Sequence, residues 1–326
     1  MRIGIIGLGS IGQRHVKCLG LLGLKDITAL RTKKGMASLP KELKYVKQAF
    51  KQGEFYSNKL DGIIISNPTS MHVQSMKTAL EKGIPVFVEK PISDSIEQLK
   101  ELDGCDVSNV MVGYCLRHNK IINFVKDFID AGKLGKIYKA HLYCGQYLPY
   151  WHPYADYRKE YYSRKELGGG VLRTLSHEID LVYYLFGSIK ELTALVEKIS
   201  DLDIDVDDNA LIMAKTAKNM TALVELDCIN PEISRSGVIF GFKGKLEYSF
   251  SKFSIIFTKY GKKEKIIYSN TNLNRDDMYV EQMKAFVNFI KTRKKIKCNY
   301  EDGVNVMKVI KAAEDSMKNR KWEKVN

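Results

Sequence analysis

A glycine-rich turn after the first apolar run is the feature that most restricts how this chain can fold. Residues 2–6 predict a short buried strand, the motif Gly7-Leu-Gly9-Ser-Ile-Gly12 follows it directly, and residues 11–22 have helical spacing. In a dinucleotide-binding βαβ unit, such glycines allow a tight turn, close approach of the backbone to a pyrophosphate and close packing of the helix on the strand. The helix N-terminus then meets the pyrophosphate charge. The alternative is a glycine-rich turn that binds no ligand. If the turn binds a dinucleotide, we expect the contacts to come from Gly7, Gly9, Ser10, Ile11 and Gly12.

The first third of the chain alternates short β-branched runs with helical stretches. This alternation predicts a parallel sheet covered by helices, which is a doubly wound α/β fold. The predicted strands are 2–6, 27–30, 62–66, 86–88 and 110–113. The predicted helices are 11–22, 71–82 and 95–102.

Beyond about residue 117 the pattern changes to long segments in which apolar and polar residues alternate. These segments predict an open, mostly antiparallel sheet, with strands at 137–147, 192–198, 210–215, 221–228, 236–243, 245–250 and 253–259. Helices are predicted over 121–131, 277–291 and 303–317. A length of 326 residues suits two domains. We therefore expect a dinucleotide-binding Rossmann domain over 1–117 and an α/β domain over 118–326, with the last helices free to pack back on the first domain.

The charge balance is the one unusual feature of the composition. The chain has 52 Lys and Arg against 38 Asp and Glu, a formal net charge of +14. Such an excess suits nucleic acid, a membrane surface or anionic small molecules. A nucleic-acid partner is not expected, because no helix-turn-helix, zinc-finger or RNP motif occurs. A membrane span is not expected either, because no apolar run approaches roughly 20 residues. The excess then suits anionic small-molecule ligands or lysines spread over a solvated surface, and charge alone leaves both open.

The six cysteines are dispersed and have no metal-ligand spacing. This usage is typical of free thiols in a reducing compartment, so we expect a cytoplasmic protein without a metal site.

The residues after the second predicted strand bear on the choice of cofactor. NAD-specific sites place an acid there to accept hydrogen bonds from the ribose hydroxyls. This chain has Arg31, Lys33 and Lys34 instead, with no carboxylate to repel a 2′-phosphate. The cofactor is therefore expected to be NAD(P), with NADP(H) favoured over NAD(H) and Arg31 among its ligands; the alternative is a solvated basic loop.

Polar residues follow two further strands, at the sheet edge where open α/β sheets bind ligands. The segment after residue 66 contains Asn67, Pro68 and His72, and the segment after residue 88 is Glu89-Lys90-Pro91. We expect cofactor contacts from Asn67, Pro68, His72 and Glu89.

At these motifs the sequence resembles the Gfo/Idh/MocA family, named for glucose-fructose oxidoreductase, inositol dehydrogenase and rhizopine catabolism proteins. The resemblance covers essentially the whole chain. Its markers are the glycine motif at 7–12, Glu89-Lys90-Pro91, Gly113-Tyr114-x-x-Arg117, Gly135-x-Ile137 and Gly168-Gly-Gly170-Val-Leu-Arg-Thr-Leu-Ser-His177-Glu-Ile-Asp180.

The resemblance implies NAD(P)-dependent oxidation or reduction at a carbon of a sugar, cyclitol or nucleotide-linked sugar. It implies that Lys90 lies at the nicotinamide and substrate and that His177 assists proton transfer, against the alternatives of a surface lysine and a satisfied helical histidine. It also implies a homodimer or homotetramer formed through the second-domain sheet. A different function within the same fold is a sensor that binds dinucleotide and sugar without turnover, as in relatives of a yeast galactose-pathway repressor.

One departure from the family pattern concerns His177. Family members commonly have an acid three or four residues before this histidine, where this chain has Thr174 and Arg173. Three readings follow: Lys90 carries most of the proton transfer, Glu178 or Asp180 replaces the acid, or the reaction differs. Arg173 is also suited to bind a substrate carboxylate or phosphate through its fork of donors.

An aromatic segment over 147–164 predicts either a substrate-facing loop or an arm of an oligomer interface. Within the family, this segment resembles a branch associated with surface-sugar and sialic-acid-like biosynthesis. The residues expected to bind substrate are Tyr114, Arg117, Tyr154, Arg158, Arg173, Thr174 and Asp180.

Overall fold

A computed structural model describes residues 1–32, 39–294 and 296–326. Contacts divide the chain into two compact units. The first unit contains Met1–His118 and Arg275–Val304, and the second contains Asn119–Asn274 and Asn305–Asn326. The first unit thus includes a late segment in addition to the residues that the sequence assigns to the dinucleotide-binding domain.

The first unit contains a six-stranded parallel sheet in the order β3-β2-β1-β4-β5-β6. Its strands are β1 (Ile3–Ile6), β2 (Ile27–Leu30), β3 (Lys47–Ala49), β4 (Gly62–Ile65), β5 (Val86–Val88) and β6 (Val110–Val112). The strand order reverses between β1 and β4, and this switch point is where doubly wound sheets open a ligand crevice at the carboxyl ends of the strands. The predicted doubly wound fold is confirmed, with β3 as an additional strand at the sheet edge.

The second unit contains a nine-stranded sheet in the order β14-β13-β12-β11-β7-β10-β9-β8-β15. Neighbouring strands are antiparallel except for the parallel pair β7 and β10, which confirms the predicted open, mostly antiparallel sheet. Its strands are β7 (Ile137–Gly145), β8 (Ile189–Glu197), β9 (Asn209–Thr216), β10 (Thr221–Asp227), β11 (Ser234–Gly241), β12 (Gly244–Ser249), β13 (Ser254–Lys259), β14 (Lys265–Ser269) and β15 (Glu323–Lys324).

The described helices are α1 (Ser10–Leu21), α2 (Gln52–Tyr56), α3 (His72–Leu80), α4 (Lys120–Asp130), α5 (Val171–Thr174), α6 (His177–Phe186), α7 (Asp277–Thr292) and α8 (Tyr300–Asn319). The helix predicted over 95–102 is wrong in type, because Glu97–Leu102 forms a 3-10 helix. Six residues make fewer than two α-helical turns, and such short segments readily adopt the tighter i→i+3 pattern. Within the described ranges, no helix is both long enough and apolar enough to cross a membrane.

The core of the first unit lies on the faces of its parallel sheet. All four residues of β1 and of β4 are buried, as central parallel strands require. Helix α7 packs against α1 in this unit. The rings of Phe87 on β5 and Phe286 on α7 lie 5.7 Å apart. This packing fixes α1, the helix that opens at the glycine motif.

Candidate functional site

The glycine turn after β1 packs tightly against the end of β4. Gly7 has a φ of +90°, and a Cβ atom there would lie 2.5 Å from the backbone nitrogen of Asn67. A Cβ atom on Gly12 would lie 2.3 Å from the carbonyl oxygen of Gly7. The Ser66 hydroxyl donates a hydrogen bond of 2.7 Å to that same oxygen. Two of the three glycines are therefore required by close approach within the protein itself.

Gly9 differs from the other two glycines because it faces open space. No described atom lies within 4 Å of the Cβ position of Gly9. Gly9 is the N-cap residue of α1, and the first turn of that helix contains no acidic residue. Open space in front of uncapped helical N–H groups is the environment that a pyrophosphate needs. The turn thus fits a dinucleotide, which the backbone from Gly9 to Gly12 would hold.

At the end of β2 the structure describes only part of the predicted cofactor contact. The Arg31 guanidinium donates a hydrogen bond of 3.0 Å to the side-chain oxygen of Gln48. Lys33 and Lys34 lie outside the described residues.

After β4, the loop of Asn67 and Pro68 leads into α3, which begins at His72. The side-chain amide of Asn67 donates to the Ser75 hydroxyl at 3.0 Å. The His72 side chain is buried, with Nδ1 2.9 Å from the carbonyl oxygen of Pro91 and Nε2 3.0 Å from that of Asn67. Both ring nitrogens lie within hydrogen-bond distance of main-chain carbonyls, and the cofactor contact predicted for His72 stays a prediction.

After β5, the Glu89 carboxylate is buried and has two partners. His15 on α1 donates from Nε2 to Oε1 of Glu89 at 2.7 Å. The backbone N–H of Lys90 donates to Oε2 at 3.2 Å. Burial raises the pKa of Glu89, but the hydrogen bond and charge of His15, together with Lys90, outweigh burial and hold the pKa below its usual value. Glu89 is therefore an anion that anchors the turn containing Lys90, and its predicted cofactor contact stays a prediction.

After β6, Tyr114 is fully buried and Arg117 is only 4% exposed. Arg117 forms an ion pair of 3.2 Å with Asp302 and also donates to the carbonyl oxygen of Lys297. These contacts occupy the Arg117 guanidinium within the first unit. The substrate contacts predicted for Tyr114 and Arg117 stay predictions.

In the second unit, the glycine segment 168–170 leads into α5. The Asp207 carboxylate accepts a hydrogen bond of 2.8 Å from the N–H of Leu172, and its main-chain carbonyl accepts one from Val171. Burial raises the pKa of Asp207, against the opposing effects of the Leu172 N–H and the Arg173 charge. Asp207 thus caps the helix that precedes His177.

His177 is the first residue of α6 and is 7% exposed. Its neighbour Glu178 is fully buried and accepts a hydrogen bond of 2.7 Å from Nε of Arg235 on β11. This ion pair engages the Glu178 carboxylate, and the alternative in which Glu178 or Asp180 replaces the missing acid stays a prediction. Asp180 is also fully buried.

The remaining predicted substrate residues have partners within the second unit or extend into solvent. Arg173 forms an ion pair of 2.7 Å with Glu314, and Thr174 is buried on α5. Arg158 binds Asp156 at 2.8 Å, while Tyr154 is 80% exposed. An incoming anion must compete with Glu314 for Arg173, so the anion-binding role of Arg173 stays a prediction.

Three contacts that hold the candidate site together went unrecognised in the sequence. These are the hydrogen bond from Ser66 to Gly7, the pairing of His15 with Glu89, and the capping of α5 by Asp207. The pairing of His15 with Glu89 has a visible signal in the sequence, because His15 lies three residues past the last glycine of the motif. The other two depend on contacts between segments that lie more than 30 residues apart.

Family models match most of the chain. The model for the "Oxidoreductase family, NAD-binding Rossmann fold" of GFO/IDH/MocA proteins matches residues 1–112, and the model for the GFO/IDH/MocA C-terminal domain matches residues 122–247. Both halves thus match the same family.

Curated relatives and solved structures agree with this match. An uncharacterized oxidoreductase YrbE of Bacillus subtilis is 24% identical over 96% of this chain and 93% of its own length. The scyllo-inositol 2-dehydrogenase (NAD(+)) of the same organism is 31% identical over 60% of this chain, and the match spans 56% of that enzyme. A levoglucosan dehydrogenase solved with NADH and levoglucosan has a TM-score of 0.88 at 17% identity, with 100% of this chain and 99% of that one covered. This last likeness shows a shared fold.

Proposed function

This chain belongs to the Gfo/Idh/MocA family of oxidoreductases, and from that premise we propose that it transfers a hydride between a nicotinamide cofactor and a hydroxyl or keto carbon of a sugar, cyclitol or nucleotide-linked sugar. The observation that carries the proposal is the arrangement at the carboxyl ends of β1, β4 and β5. There the open glycine turn, the Asn67 loop and the buried Glu89 anchor of Lys90 follow adjacent strands of one sheet.

Lys90 is the proposed proton-transfer residue of the first unit. When bound, the dinucleotide supplies or accepts the hydride, and the substrate oxygen must exchange a proton with a side chain at the same time. An amine held beside the Glu89 turn is a suitable partner for that oxygen. His177 is the second proposed proton-transfer residue, supported by the family pattern and by its position at the start of α6.

The named activities of the relatives support a sugar or cyclitol as the substrate class. They include a myo-inositol 2-dehydrogenase of Thermotoga maritima, 21% identical over the whole chain, in addition to the scyllo-inositol and levoglucosan enzymes. A 2,7-anhydro-N-acetylneuraminate hydratase of Escherichia coli, 24% identical over 59% of the chain, supports a branch that handles sialic-acid-like sugars. That match spans 51% of the hydratase.

A ligand screen followed by an activity assay tests the proposal. NADH, NADPH, cyclitols, sugars and nucleotide sugars are first tested for raising the thermal midpoint, because only ligands of the native state do so. The compounds that bind are then incubated with the protein and dinucleotide while nicotinamide absorbance is followed. We expect at least one cyclitol or sugar to change the absorbance. Binding of dinucleotide and sugar with neither an absorbance change nor conversion of the sugar, followed by mass spectrometry, would favour the sensor function and contradict the enzyme.

For the cofactor we propose a preference for NADP(H), which rests on Arg31 and the absence of an acid after β2. Arg31→Ala is expected to weaken NADPH binding about 10- to 100-fold, because a charge-assisted hydrogen bond contributes about 1.5–3 kcal/mol. NADH affinity should stay within about twofold. Titration calorimetry measures both affinities, and Arg2→Ala, at the opposite end of β1, removes the same charge as a control. Equal weakening of NADH and NADPH would contradict a 2′-phosphate contact.

We further propose that one face of the second-unit sheet forms a homo-oligomer interface. Leu195 and Met213 are 49% and 42% exposed, whereas their chain neighbours Ala194 and Ile212 are buried. Leu211 pairs with Leu195, and Met213 pairs with Leu223, so apolar side chains adjoin on this exposed face. Met213→Asp is expected to shift the protein to monomers in analytical ultracentrifugation. Leu21→Asp, at an exposed apolar residue of the first unit, serves as the control. A monomeric wild-type protein would refute the interface.

A further inference from the structure

The turn of Glu89, Lys90 and Pro91 is held on both sides by buried histidines. The carboxylate of Glu89 accepts a hydrogen bond from Nε2 of His15, and the carbonyl oxygen of Pro91 lies 2.9 Å from Nδ1 of His72. We call these two contacts the histidine clamp. Each contact falls on a residue directly adjacent to Lys90 in the chain.

The first half of the clamp joins α1 to the turn. His15 is fully buried, and its ring packs edge-on against Phe87 of β5 with 5.1 Å between centroids and against Tyr279 of α7 at 6.3 Å. These aromatic contacts restrict the orientation of the imidazole whose Nε2 meets Glu89. The other oxygen of Glu89 accepts the N–H of Lys90. The position of α1 is thus transmitted to the Lys90 peptide through a single carboxylate.

The second half joins α3 to the turn. His72 is 1% exposed, and both of its ring nitrogens face carbonyl oxygens, which only accept hydrogen bonds. A neutral imidazole has one N–H and therefore satisfies one of the two. Burial lowers the pKa of His72, while the two carbonyls and the charges of Glu89 and Asp94 oppose this effect. The contact with Asn67 closes a local loop, whereas the contact with Pro91 bridges the ends of two strands.

Stability alone does not require such a network. Buried polar partners must overcome their own desolvation, and apolar residues of similar volume often stabilise a core equally well. Nearby core positions of the same helices are apolar, as at Val16 on α1 and Val73 on α3. What the polar contacts add is direction, because a hydrogen bond restricts the atoms that it joins to a narrow range of distance and angle.

We propose that His15 and His72 are positioning residues that orient Lys90 for proton transfer, with the Nε2–H of His15 donating to Glu89 and the Nδ1–H of His72 donating to Pro91. The inference rests on the role proposed above for Lys90. Misplacement of a reacting group by about 1 Å can lower a rate about 100-fold. Loss of either contact is therefore expected to lower kcat about 10- to 100-fold with little change in KM.

Paired amide substitutions test the clamp. The amide nitrogen of asparagine can take the place of Nδ1, and that of glutamine the place of Nε2. His15→Gln and His72→Asn should therefore keep the proposed bonds, whereas His15→Asn and His72→Gln should lose them. At position 15 the glutamine variant should therefore retain more activity than the asparagine variant. At position 72 the order should be reversed. Val16→Ala and Val73→Ala, on the same helices, control for lost stability because they remove buried methyl groups and leave the imidazoles in place.

Two measurements are made on each variant, below its thermal midpoint. The first is kcat and KM with a substrate from the screen. The second needs no substrate: trace acetylation across pH, read by mass spectrometry, gives the reactivity of the Lys90 amine relative to that of Lys82. We expect the bond-losing variants to change Lys90 reactivity at least about threefold, the equivalent of half a pKa unit, and the bond-keeping variants to resemble the wild type.

The outcomes separate the clamp from the proposed function. If both amides behave alike at each position, or if all four variants match the two valine controls, the clamp is refuted. If Lys90→Met retains full activity, the proposed role of Lys90 in catalysis fails. The clamp would still be established if Lys90 reactivity changes in His15→Asn and His72→Gln but not in His15→Gln and His72→Asn.

Discussion

Replacement of Lys90 by methionine should lower kcat about 100- to 10,000-fold, the range that general acid–base groups contribute. Methionine keeps the length and apolar stem of lysine but has no proton to exchange with the substrate oxygen. Dinucleotide affinity should stay within about twofold, because the backbone at the glycine turn and the anchor at Glu89 are unchanged. Nicotinamide absorbance measures kcat, and titration calorimetry with NADH measures binding.

The matched control for this substitution is Lys82→Met. Lys82 is an exposed lysine just before β5, at the opposite end of the strand that leads to Lys90. Its loss should leave kcat unchanged. An equal decrease of kcat in both variants would point to lost charge or stability, and unchanged kcat in Lys90→Met would assign the proton transfer elsewhere.

Strands with strong apolar patterns could be predicted from the sequence, and weakly patterned edge strands could not. The buried runs of β1 and β4 gave clear signals. In contrast, β3 is three residues long with two exposed, and β15 is only two residues long. Such segments become strands because a neighbouring strand offers hydrogen-bonding partners, as β2 does for β3. That tertiary context is absent from local sequence.

The candidate site shows the same division. The glycine motif and the Glu89-Lys90-Pro91 turn could be located because their chemistry depends on local spacing. The partners of the charged residues could not, since Arg173 pairs with Glu314 and Arg117 with Asp302, far along the chain. An arginine looks equally available for a substrate whether or not a distant carboxylate engages it, and only the fold distinguishes these cases.

Alanine at Gly9 should separate ligand binding from folding at the glycine turn. The backbone of Gly9 is extended, with a φ of −72°, and its Cβ position has no described atom within 4 Å. The fold therefore accepts the methyl group, and we expect the free energy of unfolding to change by less than about 1 kcal/mol, a typical helix-cap effect. The methyl group would nevertheless occupy the space of the pyrophosphate. Loss of one charge-assisted contact predicts NADH binding about 10- to 100-fold weaker.

Gly12→Ala provides the contrasting result. Its Cβ atom would lie 2.3 Å from the Gly7 carbonyl oxygen and 2.9 Å from the Ser66 hydroxyl, so α1 must shift away from β1. Overpacking of this kind lowers the free energy of unfolding by about 1–3 kcal/mol. Gly53→Ala, in α2 where a Cβ atom also meets open space, is the control: NADH binding should stay unchanged and the free energy of unfolding should not fall, because alanine favours a helix over glycine. Urea denaturation and NADH titration on all three variants should show lost binding with retained stability only at Gly9. If Gly9→Ala binds NADH as tightly as the wild type, the dinucleotide does not approach this turn.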